Sequence, residues 1–189
     1  MIATRALVGC KLRLLPQRLE HAGLLARWYG DAEVRHWLHR SEDPLEQFSR
    51  DAFEQRIREV FVDPGEVRFV IEADGPALIG DVGLIGIHRA RRAELSIAIG
   101  EPGSWGRGYG REAIRTLLRF GFGELGLRRV TLVADADNAR GIRCYERCGF
   151  RHEGVLRQHR LRYGKPLDMV AMAVLRDEFA AAERDGGAG

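Results

Sequence analysis

The stretch Trp105-Gly106-Arg107-Gly108-Tyr109-Gly110-Arg111 leads a glycine loop into the start of an amphipathic helix, a combination suited to holding phosphate. Its glycines let main chain approach an anion, and the N–H groups and positive end of the following helix point at it. Arg107 and Arg111 add charge-assisted hydrogen bonds. A helix-entry loop whose glycines only make turns would share this sequence. Gly108 to Ala113 also fits the dinucleotide pattern G-x-G-x-x-A, with Asp135 near the place of a ribose-binding acid, so an NAD(P)-binding protein is a rival. Against that rival, Glu101 to Arg107 separates the loop from the preceding strand, and the pattern before it is an antiparallel meander. No P-loop sequence G-x-x-x-x-G-K-S/T occurs.

Charge along the chain points to the same loop. The net +3 conceals a stretch at 41–66 with eight acids and three arginines, and a stretch at 107–151 with ten arginines and five acids. The first would attract a cation and the second an anion; two solvated helix faces would carry the same charges. Other clusters suggest less chemistry. Cys144, Cys148 and His152 are spaced by four, but Gly149 breaks the helix between the last two, and His36 and His39 lack a third ligand, so no metal is expected. Arg89, Arg91 and Arg92 read as a solvated hairpin turn without interleaved aromatics, so no nucleic-acid partner is expected. Trp28 and Trp37 suit a core or the walls of an acceptor pocket.

The elements that must position the loop follow from periodicity. Residues 10–15 read as a strand before a turn at Pro16, and Leu19, Leu24, Leu25 and Trp28 repeat at helical spacing. Asp31 caps a short helix with Val34, Trp37 and Leu38; Pro44 begins a longer one through Leu45, Phe48, Phe53, Ile57, Val60 and Phe61. Three strands follow, at 67–73, 77–88 and 93–99, with turns at Asp74-Gly75-Pro76 and Arg89 to Arg92. After the glycine loop come a helix of some 15 residues, a strand at 128–135, a helix capped by Asn138 and ended by Gly149, a hairpin about Gly164-Lys165 and a last short helix. That order implies one α+β domain over 1–189, with a mixed, mostly antiparallel twisted sheet, helices on both faces, a core at about 10–175 and a frayed tail at 185–189.

The chain has 45% hydrophobic and 30% charged residues and a mean hydropathy of −0.26, an ordinary globular composition. No apolar run approaches the roughly 18 residues of a membrane span, and no secretory signal opens the chain, so a cytoplasmic protein without a membrane partner is expected. Cys10, Cys144 and Cys148 have no disulfide-framework spacing and are expected to be reduced thiols.

SWGRGYGREA, followed by NARGIRCYERCGFRHEG, resembles the paired motifs of the GNAT superfamily of acetyl-CoA-dependent N-acetyltransferases. The resemblance covers about residues 10–175. It implies that amides around Gly106, Arg107, Gly108, Tyr109, Gly110 and Arg111 cradle a CoA pyrophosphate. Strand 94–99 should splay from strand 130–135, with the pantetheine arm lying along Ile97, Ala98 and Ile99. Trp105 stands where the family usually has Gln or Arg, and Trp-Gly-x-Gly-Tyr is similar to ribosomal-protein N-terminal acetyltransferases. RHWLHRSEDPLEQF, RFVIEADG and HRARRAELSIAI resemble spermidine/spermine N-acetyltransferases, with His39 and Arg40 inserted before the acidic pair. The implied acceptor is a primary amine of a small cationic molecule or a protein N-terminus. A homo-oligomer is compatible with that branch.

Acetyl transfer to an amine needs a neutral nitrogen. An alkyl amine of pKa about 10 is almost wholly protonated at neutral pH, a penalty of roughly 4 kcal/mol that a base or a desolvating site must offset. Glu94, on one wall of the expected V, is the first candidate base, unless it is a solvated strand residue. Glu42 and Asp43, with Trp37, are candidates to bind the amine, although the two acids would equally stabilise a helix N-terminus. Within the resemblance, Tyr145 is the candidate acid for the departing thiolate, its alternative being a core tyrosine. Asn138 would bond the pantetheine arm, cap its helix, or do both. A noncatalytic acyl-CoA sensor would share the loop but release no thiol.

Overall fold

A computed structural model describes residues 5–38, 42–73, 75, 77–88 and 91–186. His39, Arg40 and Ser41, the turn residues Asp74 and Pro76, the turn residues Arg89 and Ala90, and 187–189 of the expected frayed tail lie outside the described residues.

Among the described residues eight strands form one sheet: β1 (Leu7–Val8), β2 (Leu12–Pro16), β3 (Val67–Ala73), β4 (Ala77–His88), β5 (Arg92–Ile99), β6 (Arg129–Asp135), β7 (Arg151–Arg162) and β8 (Lys165–Leu175), in the order β1-β2-β3-β4-β5-β6-β8-β7. Neighbours are antiparallel except β5 and β6, which run parallel and pair only at Arg92↔Arg129, Ala93↔Val130 and Glu94↔Thr131. Beyond Glu94 the two strands part, opening a V in the middle of the sheet. On its other edge β5 stays tied to β4 through Ile97↔Val82, Ala98↔Asp81 and Ile99↔Gly80, so one edge of its main chain faces the gap.

The helices are α1 (Ala22–Gly30), α2 (Ala32–His36), α3 (Arg50–Val62), α4 (Tyr109–Gly123), α5 (Ala139–Glu146) and α6 (Arg176–Gly186). They pack on both faces of the sheet. One cluster joins α4 and Phe179 of α6 to the strands; the other gathers Leu25, Trp28 and Tyr29 of α1 with Phe53 and Ile57 of α3. Ile114, Leu117 and Leu118 of α4 are almost fully buried, each contributing roughly 1.5–3 kcal/mol, and this anchors the glycine loop at the helix start.

Several elements differ from the sequence reading. The long helix expected from Pro44 is two elements: Pro44 precedes a 3-10 turn at Leu45–Phe48, and Ser49 then caps α3 with its hydroxyl 3.2 Å from the Ala52 amide. A good N-cap inside the apolar pattern restarts the helix, and Phe61, expected on its apolar face, is 52% exposed. The first helical pattern begins as a 3-10 turn, Leu19–His21, before α1. Trp37 is the C-cap of α2 and Leu38 lies beyond it. Pro16 ends β2 rather than turning the chain, and β1 pairs with β2 through only two residues, too short to carry a sequence pattern. Residues 185 and 186 of the expected tail continue α6.

Candidate active site

A cavity of about 470 Å³ opens between the parted strands and the glycine loop. Its floor is Ile97, Ala98 and Ile99 of β5, and its sides are Trp105 to Arg111 and the face of α5 from Asn138 to Arg147. Among the described lining residues are five guanidinium groups, Arg107, Arg111, Arg140, Arg143 and Arg147, and no carboxylate.

The loop is shaped for this place. Gly106 and Gly108 have φ of 75° and 88°, where an L side chain is strained, and Gly108 is the N-cap of α4. The first main-chain bond of α4 runs from Glu112 N to Gly108 O at 3.1 Å, so the amides of Tyr109, Gly110 and Arg111 precede it and point out of the helix end. The start of the loop is pinned to α1. The Trp28 ring lies against Gly100, where a β-carbon would come within 2.1 Å of it, and the Trp28 indole N–H donates to Glu101 at 2.7 Å. Trp105 donates its indole N–H to the Ile99 carbonyl at 2.8 Å, while the Arg140 guanidinium lies 4.0 Å over the Trp105 ring.

A second cavity, of about 250 Å³, continues from the first toward the other side of the V. Trp37, Leu38, Ile97, Asn138 and Tyr145 line both, so Tyr145 stands at the junction. Glu94 lines the second cavity with its carboxyl pushed above the usual range by partial desolvation. Burial pushes the Tyr145 phenol up as well, which keeps its proton in place at neutral pH. Asn138 caps α5, its side-chain oxygen accepting from the Gly141 amide at 2.9 Å.

Glu42 and Asp43 are placed elsewhere. The Glu42 carboxylate accepts from the main-chain amide of Tyr163 in the β7–β8 turn, and the Asp43 carbonyl accepts from Arg35 at 2.8 Å; neither lines either cavity. None of the acids of the 41–66 stretch lines either cavity; Glu54 of α3 is paired with Arg50 and Arg58 along its own helix, whereas Arg56 of the same stretch does line the second cavity. Half of the ten arginines at 107–151 do line the first cavity, while Arg115 and Arg119 pair with Glu183, Arg129 with Glu153 and Arg151 with Glu178.

Sequence reasoning missed two sets of residues. Arg140, Arg143 and Arg147 share one face of α5, a spacing that could have been read as a basic stripe. Tyr29, Arg56 and Arg68, which line the second cavity, come from three separate elements, and no local pattern marks them. Cys144 lines the first cavity, and a hydrogen bond from Cys148 holds its thiol below the usual range. Among the described residues no group of His, Cys, Asp or Glu could hold a metal ion, and no helix is long and apolar enough to cross a membrane.

The family model of the acetyltransferase (GNAT) domain matches residues 11–151. The spermidine N(1)-acetyltransferase of Vibrio cholerae is 30% identical over 179 residues, covering 94% of this chain and 95% of that protein. The Escherichia coli K12 enzyme of the same name is 31% identical over 157 residues, covering 82% of this chain and 80% of that one. The crystal structure of Vibrio cholerae spermidine N-acetyltransferase in complex with CoA and spermine superposes with a TM-score of 0.82 at 27% identity, covering 90% of this chain and 98% of that chain.

Proposed function

The chain belongs to the GNAT acetyltransferase family and is an acyltransferase, and from that premise we propose that it moves an acetyl group from acetyl-CoA to a primary amine by direct attack in a ternary complex. The acceptor class is a small cationic amine, of polyamine or aminoglycoside type, or a protein N-terminus. The observation that carries this reading is the pair of joined cavities, one lined with five guanidinium groups and no described carboxylate, the other with Glu94, meeting at Tyr145.

The residues of the first cavity fit CoA. The amides of Tyr109 to Arg111 and the arginines of the loop and α5 would hold its phosphates, and the edge of β5 at Ile97 to Ile99, which β6 does not pair, would receive its arm. When bound, acetyl-CoA supplies an activated acyl carbon and a thiolate leaving group. Asn138, which lines both cavities, would steady the arm where they meet.

Glu94 draws the acceptor's ammonium into the second cavity and takes up its proton through water, leaving a neutral nitrogen. Trp37 walls the path between the cavities. Tyr145 holds its proton at neutral pH and gives it to the departing sulfur, so its contribution is one of position. Glu42 and Asp43, outside both cavities, would act on a cationic acceptor only as it approaches. The test is a thiol-release screen with acetyl-CoA against polyamines, aminoglycosides and N-terminal peptides. Release with one of these amines is expected; CoA binding without release across the panel would mark a noncatalytic acyl-CoA-binding module.

A further inference from the structure

Behind the wall of the second cavity lies a buried acid that the reaction above does not use. Asp81 of β4 is 1% exposed, and the Tyr29 hydroxyl donates to its two carboxylate oxygens at 3.1 and 3.3 Å. Tyr29 is itself a wall of the cavity that holds Glu94 and Tyr145. Asp81 is thus joined to the cavity by two of its wall residues, Arg68 at 3.6 Å and Tyr29, of which the Tyr29 phenol is the one that can pass a proton at neutral pH.

We propose that Tyr29 and Asp81 form a second path for the acceptor's proton, resting on the acetyltransferase reading and independent of Glu94. The Tyr29 oxygen accepts a proton from the acceptor's ammonium as its own hydroxyl proton passes to Asp81. The amine becomes neutral, Tyr29 stays neutral, and Asp81 becomes a carboxylic acid, which returns its proton by the reverse route once the product has left. Tyr29 meets the acceptor, and Asp81 acts through it as a positioning and proton-storing residue.

The charges that face Asp81 come from every element packed on it. Tyr29 belongs to α1; Arg56 of α3 lies on the same side; Arg68 of β3 approaches to 3.6 Å and is also bound to Glu66; the paired residue on β5 is the apolar Ala98. Burial lifts the carboxyl to about 6, against the pull of Arg68, so that it is ionised at neutral pH yet able to take a proton. The Tyr29 ring packs on Phe48 and Phe53, which fixes the direction of its hydroxyl.

The test is the pH dependence of kcat with whichever of spermidine, an aminoglycoside and an N-terminal peptide the wild type turns over, for wild type, Tyr29→Phe and Asp81→Asn. Wild type should fall in rate as pH drops through about 6, as Asp81 takes up a proton. Tyr29→Phe keeps the ring packing and should lose at least about tenfold in kcat at pH 7, recovering as pH rises toward the amine's own range, with acetyl-CoA affinity unchanged. Asp81→Asn should show the same displaced profile. An active wild type whose profile Tyr29→Phe leaves in place overturns the relay alone. A wild type that turns over none of the polyamines, aminoglycosides and N-terminal peptides overturns the acetyltransferase reading and the relay with it.

Discussion

The two joined cavities are built in opposite ways. The loop, the helix face and most of the lining of the first come from the chain between Ile97 and Arg147, in which a strand, a glycine loop, a helix, a second strand and a second helix follow one another. The second draws Tyr29 from α1, Arg56 from α3, Arg68 from β3, Glu94 from β5 and Tyr145 from α5. A site for a fixed ligand can be made of main chain and a local motif. The second cavity joins two strand runs, Glu94 to Ile97 and Leu132 to Ala134, with single side chains that the fold brings to them from distant elements.

The largest expected effect is that of Tyr145→Phe, at the junction of the two cavities. It should lower kcat by about 100-fold or more, the usual scale for a lost general acid, with acetyl-CoA affinity unchanged by calorimetry. Unchanged turnover would remove Tyr145 from the chemistry.

The next effect separates the cavities by stability. Asp81 is raised to about 6 in the fold from an ordinary value near 3.8, so the stability it contributes is present below about pH 4 and is lost as pH rises through about 6. Asp81→Asn does not titrate. Its stability relative to wild type should therefore climb by up to about 3 kcal/mol between pH 4 and pH 8, measured by denaturant unfolding. A difference independent of pH would contradict the burial argument. A third, smaller effect belongs to the first cavity. Gly108→Val places a β-branched residue at a φ of 88° and should weaken acetyl-CoA binding about tenfold, while the KM for the amine stays near the wild-type value.

The same contrast explains what was legible in the sequence. The glycine loop, the 15-residue helix behind it and the Asn138 cap are local patterns, and each stands where the residues put it. The parting of β5 and β6 was expected only through the resemblance, since no residue of either strand announces it. The acidic stretch was less legible, because net charge does not say which carboxylates are already paired within their own helix, as Glu54 is. Asp81 was invisible for the opposite reason: one acid in an apolar strand carries no pattern, and its meaning comes from Tyr29, 52 positions away in the chain.

Acetyl transfer at this site requires that the arginine-lined cavity hold the acyl donor. Calorimetric titration of acetyl-CoA into the wild-type protein should show binding to one site per chain, weakened in Gly108→Val. Absence of heat with acetyl-CoA, or saturable binding of NAD in its place, would contradict it.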